Sequence, residues 1–399
     1  MNSEGQFGYK TFTPGGSLSE FTPIRIITST HTHDVYSGDA KYVAVAYEPE
    51  REYIHVVMFP GWVYEGASGY LGIWYRCGHL EDSGSISWLA DWNQVGDIKP
   101  YNGLDNLKAL DLAVDTDGYP HLVVAGYLYR GGVKKAVIFT RSSDNNGQFT
   151  PASYTYWNIA YNLPVWVSIT RLKEKRMVAV FSYEDANHNY YLKKAVFDGS
   201  DWSFGTLVSS STSSILYDAS LSITSYENTA VVSYLAADLT IRLHSYTYGQ
   251  SWSSACIIEH DSISTESYPT VTMLNSEIAE VFWGYESAIF RVEYNCTANS
   301  VSEAEMIYVQ DSLDATSLNA LPYRSDNRAG VLYVHQLDVS SAKVHLLMYP
   351  YASVAPGVTF PVIALMGFIG ILLVIISPTM LVRAAKRKDW EQIATWVCM

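Results

Sequence analysis

The chain has 399 residues, with 26 Lys and Arg against 40 Asp and Glu, for a formal net charge of -14. That acidic balance excludes a basic nucleic-acid binder, because phosphate recognition needs clustered Lys and Arg. Tyr (31 residues) and Trp (11 residues) are abundant, and such residues favour strands and amphipathic surfaces.

The chain starts without the basic and apolar stretches of a secretory leader. Phe7 to Phe12 reads as a strand suited to closing a ring of sheets from the N-terminal side. His31 and His33 alternate onto one strand face beside Asp34. Two histidines are too few for a metal centre, so a surface role is favoured. Residues 41–47 and 53–59 form a first pair of apolar strands. Residues 61–92 then read as an aromatic-rich insertion. Its Trp62, Tyr64, Tyr70, Trp74, Trp88 and Trp92 are the candidate ligand-binding residues, since exposed aromatic rings stack on sugars and anchor protein partners. A role in covering the fold is the competing reading of the same rings.

From residue 117 onward one unit recurs, with an apolar strand, a polar turn and a second, alternating strand. Val123, Val178, Val231, Val281 and Leu332 are equivalent, at intervals of about 50 residues. The first strand of each pair is apolar at nearly every position, which predicts burial on both faces. The second alternates, as Ile241 and Leu243 do against Arg242 and His244, which predicts a place nearer an outer edge. Four strands per unit at this period predict an all-β chain, a β-propeller of six blades, with seven as the alternative. A string of immunoglobulin-like sandwiches would repeat at about twice that length.

Asp115 and Asp117 before Gly118 are spaced as alternate carboxylates of a calcium loop, but a hairpin turn explains them better. A turn signal follows the second strand in several copies: Asp198-Gly199 before Trp202, Gly249 before Trp252, and Ser142, Asp144, Asn146 and Phe149 in the earlier copy. The last of these resembles the Asp-box hairpin of sialidase-like propellers, with Asn146 for the usual Gly and Phe149 for the usual Trp. The resemblance implies a propeller fold, and in that family an arginine cluster holds the substrate carboxylate. Arg25, Arg76, Arg171, Arg242, Arg291 and Arg324 are spread over the repeats. Arg25 does not stand in the family's Phe-Arg-Ile-Pro setting, and no catalytic residue is carried over. No cofactor or metal is expected.

Four cysteines, Cys77, Cys256, Cys296 and Cys398, show no metal-ligand spacing. A Cys256–Cys296 disulfide is open to the chain, but buried thiols are favoured. Asn295-Cys296-Thr297 is a glycosylation triplet, a weak signal.

Residues 350–357 form a linker, and 358–382 form an apolar run without a charged residue. A run of roughly 20 such residues spans a hydrocarbon core of about 30 Å. A single transmembrane helix is therefore expected, with Val358, Phe360, Leu365, Phe368, Leu372, Ile376 and Val382 in the lipid bilayer. Arg383, Lys386, Arg387 and Lys388 follow at once, and by the positive-inside rule the tail 383–399 is cytoplasmic or interior. Residues 1–349 then lie outside; a tail-anchored protein is the topological alternative. Trp390, Ile393, Ala394 and Val397 make an apolar stripe, either an interfacial helix or the start of a second span. The functional expectation is a membrane-anchored surface protein that recognises a glycan or protein ligand on a cell or enveloped virus. The alternatives are a sialidase-like glycoside hydrolase and a surface or envelope scaffold.

Overall fold

The computed structural model describes residues 42–59, 62–65, 68–81, 85–95, 98–100, 107–130, 133–157, 166–184, 190–208, 221–286, 288–309, 318–320, 328–338 and 341–350, with short strands at 8–9, 22–23, 25–27 and 32–34. The expected membrane helix 358–382 and tail 383–399 lie outside the described residues. Among the described residues no helix is long and apolar enough to cross a membrane.

The described elements are all strands. Sheet I comprises Tyr42–Glu48, Tyr53–Phe59, Trp74–Leu80 and an outer strand in two pieces, Ile86–Trp88 and Asn93–Gln94. Sheet II comprises Leu107–Val114, Pro120–Arg130, Val133–Ser142 and Phe149–Trp157, with Lys99–Pro100 against its second strand. Sheet III runs through Val167–Arg171, Met177–Glu184, Tyr190–Phe197 and Trp202–Val208. Sheet IV runs through Leu221–Tyr226, Thr229–Leu235, Ile241–Thr247 and Cys256–Ile258. Sheet V has Thr270–Met273, Ile278–Tyr285, Ala288–Asn295 and the split outer strand Ser300–Val301 and Glu305–Val309. Sheet VI has Leu318–Ala320, Arg328–Asp338 and Ser341–Pro350. Every sheet is antiparallel and meanders from first strand to last. The first strand of each lies against the first strand of the next, from I through VI. Sheets stacked side by side through their inner strands form a β-propeller.

The packing explains the sequence pattern. In the second strand of sheet II, Leu122 and Val124 pack toward sheet I, whereas Val123 and Ala125 pack toward sheet III. In the second strand of sheet III, Met177, Ala179 and Phe181 face sheet II, and Val178 and Val180 face sheet IV. Alternate side chains point to opposite faces, so a strand buried on both faces must be apolar at every position. Each Val, Leu, Met or Phe among them contributes about 1.5–3 kcal/mol on burial.

The inner strands are joined by polar side chains instead. Asp111 of sheet II accepts hydrogen bonds from Ser168 Oγ at 2.9 Å and Ile169 N–H at 2.8 Å in sheet III. Thr170 and Ser225 hydroxyls meet at 2.8 Å between sheets III and IV. Ser222 Oγ accepts from Val271 N–H at 3.4 Å between sheets IV and V.

One sequence expectation changes. Residues 61–92 are not one insertion. Trp74–Leu80 and Ile86–Trp88 are the third and fourth strands of sheet I, and the added piece is a hairpin of Trp62–Glu65 and Ser68–Leu71. Gly8–Tyr9, within the expected closing strand, pairs with Thr22–Pro23.

Candidate functional site

The outer strand of sheet I leaves its partner after Trp88, bulges through Leu89 to Trp92, and rejoins it at Asn93. Two anchors hold the bulge. Trp92, only 5% exposed, inserts into a cluster with Ile54, Val56, Met58, Trp74 and Leu80. Arg76 Nε–H donates to Ala90 O at 2.7 Å. The Arg76 guanidinium also stands 4.6 Å over the Trp88 ring and 3.8 Å from the Asp91 carboxylate. Asp91 is 58% exposed and Leu89 47%. An indole, a guanidinium and an exposed carboxylate therefore meet on the bulge. Bulges at edge strands re-aim side chains and block edge-to-edge pairing.

The other aromatic candidates separate. Trp74 is 7% exposed and belongs to the core of sheet I with Trp92. Both pack against aliphatic neighbours, so they shape the sheet and offer no face to a ligand. Trp62, Tyr64 and Tyr70 stand on the added hairpin, with Val63 opposite Tyr70.

Two polar clusters with buried carboxylates sit beside the first turns of sheets I and II, and the first also binds sheet I to sheet II. In the first, Tyr75 O–H donates to His55 Nδ1 at 2.6 Å, and His55 Nε2–H donates to Glu48 at 3.1 Å. Arg51 grips the same carboxylate at 2.5 and 2.6 Å and donates to Gly118 O of sheet II at 3.1 Å. The Tyr75 hydroxyl and both His55 ring nitrogens are paired when His55 is neutral. In the second, Asp115 accepts from His121 Nε2–H at 3.1 Å, from Arg141 at 3.0 Å, and from Asp117 and Tyr119 N–H at 3.0 Å. Its carboxylate is thus fully engaged in closing the hairpin, and Asp117 pairs with Lys175 at 2.5 Å. Among the described residues no group of three or more His, Cys, Asp or Glu is placed to hold a metal ion. Tyr75 is fully buried, so its hydrogen-bonded chain has no access to a substrate.

Burial pushes the His55, His121 and His244 imidazoles below their ordinary value. Burial also pulls Glu48 and Asp115 upward, but hydrogen bonds from His55 and Arg51, and from His121 and Tyr119 N–H, outweigh it and leave both below the usual range. As pH falls below about 6.5, the unfolded chain binds protons at these histidines that the folded chain refuses, so stability declines. The two carboxylates add to the decline at lower pH. Asp111 acts oppositely: burial pushes it up to about 6, so its protonation below that pH favours the folded state. With three histidines against one aspartate, the melting temperature is expected to fall between pH 7.5 and 5.5. A flat or rising melting temperature over that interval would contradict this.

Among the described residues, Arg171, Arg242 and Arg291 do not converge. Arg171 pairs with Glu50 at 3.0 Å, Arg242 with Asp238 at 2.5 Å and Arg291 with Glu280 at 2.7 Å, each beside its own sheet's turns or strands except the Arg171 link from sheet III to sheet I. Arg25 and His33 lie on the short strands Arg25–Ile27 and Thr32–Asp34, and Arg324 lies outside the described residues.

The expected Asp-box turn has the geometry its carboxylate implies. Asp144 Oδ1 accepts from Asn146 N–H at 3.0 Å and Gln148 N–H at 2.9 Å, and Ser142 Oγ–H lies 3.3 Å away. Gly147, with φ 88°, supplies the positive φ, and Phe149 is buried edge-on to Tyr75. Trp202 packs on Phe139 and Phe197 and Trp252 stacks on Tyr246, covering the sheets. Cys77, Cys256 and Cys296 are free thiols.

No protein-family model matches the chain, and no curated protein matches it in sequence. Solved structures do resemble it. The BP39L lectin from Burkholderia pseudomallei superposes with a TM-score of 0.51 at 12% identity, covering 81% of this chain and 87% of the lectin. The two share a fold. A sialidase of Trypanosoma rangeli gives a TM-score of 0.48 at 9% identity, over 82% of this chain and 57% of the sialidase. A lectin of Aleuria aurantia, in complex with Fucalpha1-6GlcNAc, gives 0.46 at 12% identity, over 81% of this chain and 99% of the lectin.

Proposed function

We propose that the chain is a membrane-anchored β-propeller that recognises surface glycans through the Trp88, Arg76 and Asp91 bulge of sheet I. The observation that carries this reading is the guanidinium 4.6 Å over the indole, with an exposed carboxylate beside it. An aromatic edge or face covers the C–H surface of a pyranose, and a guanidinium and a carboxylate together donate to and accept from neighbouring hydroxyls. The fold shared with the BP39L lectin supports the same reading. Six blades are proposed, sheets I to VI. The anchor is residues 358–382, with the propeller outside and the basic residues Arg383 to Lys388 inside.

Glycan-array binding by the detergent-solubilised full chain, run beside turnover of a fluorogenic sialoside, tests the function. Saturable binding without turnover is expected. Turnover would overturn this reading in favour of a glycoside hydrolase, and binding to no glycan would overturn it in favour of a protein ligand or a scaffold. Protease protection in intact cells or particles tests the topology. Digestion of the propeller from outside, with the tail spared, is the expected result.

A further inference from the structure

Strand direction assigns the two ends of the propeller different surroundings. In sheets I to V the first strand runs into a short turn to the second, as at Glu48 to Tyr53, Asp115 to Pro120 and Tyr226 to Thr229. The third strand runs the same way into its turn to the fourth, as at Ser142 to Phe149 and Phe197 to Trp202. All of these turns lie at one end of the stacked sheets. The connections from second to third strand lie at the other end, and the hairpin of Trp62–Glu65 and Ser68–Leu71 arises from one of them.

Sheet VI follows the same plan. Its first strand lies against the first strand of sheet V, and its third strand, Ser341–Pro350, is antiparallel to Arg328–Asp338 with Pro350 opposite Arg328. The chain therefore leaves the last strand at the turn end. Val358 follows eight positions later, and an extended chain spans at most about 3.6 Å per residue, or about 29 Å here. We propose that the turn end faces the bilayer at close range and that the opposite end, with the Trp62–Leu71 hairpin, is presented outward; this rests on the anchor proposed above.

The chemistry of the turn end fits apposition to neutral headgroups and excludes insertion. Acidic residues such as Glu50, Glu52, Asp117, Glu174, Glu227 and Glu277 outnumber the basic Arg51, Lys173, Lys175 and Arg176. Several are tied between sheets: Arg171 to Glu50 at 3.0 Å, Lys173 to Glu227 at 2.8 Å and Lys175 to Asp117 at 2.5 Å. A rim so built would be repelled by the anionic cytoplasmic leaflet, which agrees with the propeller lying outside. Arg76 stands four residues before Leu80 at the turn end, about 13 Å up the strand at 3.3 Å per residue. The bulge therefore remains clear of the headgroups on the flank.

The test places one fluorophore at either end of the same sheet. Gln250 is exposed in the turn after Ile241–Thr247, and Ala237 is exposed before that strand. Gln250→Cys and Ala237→Cys, each combined with Cys398→Ser, are labelled in the full chain and reconstituted into phosphatidylcholine vesicles carrying a nitroxide-headgroup quencher. The Cys398→Ser parent supplies the background. At least twofold stronger quenching at position 250 than at 237 is expected. Equal or reversed quenching in vesicle-bound protein overturns the orientation alone. Protein that fails to float with the vesicles overturns the anchor and the orientation together.

Discussion

Gly147→Ala is expected to destabilise the fold by about 3 kcal/mol, read as a lower urea midpoint. Two costs add. Gly147 has φ 88°, a region that costs an L-residue about 1 kcal/mol or more. A Cβ there would also lie 1.7 Å from a ring carbon of Tyr75. Tyr75 cannot yield easily, because it is fully buried, edge-on to Phe149 and hydrogen-bonded to His55. Overpacking of this kind costs typically about 1–3 kcal/mol. Gly249→Ala is the control: φ is 83°, but a Cβ there meets nothing within 4 Å. Its cost should be limited to the backbone share, about 1 kcal/mol. Equal losses at the two glycines would contradict the close fit between the sheet II turn and sheet I.

Trp74→Ala is expected to cost about 3–5 kcal/mol of stability, the range for removing a buried large aromatic side chain. Trp74 fills the core of sheet I beside Trp92, Ile54, Val56, Met58 and Leu80. Its loss leaves a cavity that rigid strands on either side cannot close. Trp88→Ala, by contrast, should change stability by about 1 kcal/mol or less, since Trp88 is half-buried at the outer edge. Chemical denaturation of the two variants side by side checks the assignment. A small loss at Trp74, or a larger one at Trp88, would exchange their roles.

The blade architecture was legible where both faces of a strand are buried. Met177–Glu184, Thr229–Leu235 and Ile278–Tyr285 stand out because neighbouring sheets cover them on both sides. The inner strands were obscure for the opposite reason. Val167–Arg171, Leu221–Tyr226 and Thr270–Met273 mix Ser and Thr with aliphatic residues, because their hydroxyls and amides join one inner strand to the next. Sheet I was hidden differently. A hairpin between its second and third strands displaces Trp74–Leu80 from its partner, and Arg76, Gly78 and His79 interrupt the apolar pattern.

The candidate site was legible in composition but not in geometry. Abundant aromatic residues between 61 and 92 marked the region, yet period-two reasoning without the strand boundaries could not divide inward Trp74 and Trp92 from edge-standing Trp88. In the sequence Arg76 is one of several scattered arginines; its pairing with Trp88 depends on the outer strand folding back antiparallel, with Trp88 opposite Gly78. The acid–histidine pairs carry a usable sequence signal. In sheets I and II an acid closes the first strand and a histidine follows on the second, Glu48 with His55 and Asp115 with His121.

The central claim is that the sheet I bulge binds a glycan. Titration of the best array ligand into the wild-type chain, Trp88→Ala and Arg76→Gln, each verified as folded by its melting profile, tests it most directly. The account predicts at least a tenfold loss of affinity for both variants, which corresponds to about 1.4 kcal/mol. Wild-type affinity in folded Trp88→Ala and Arg76→Gln would contradict it.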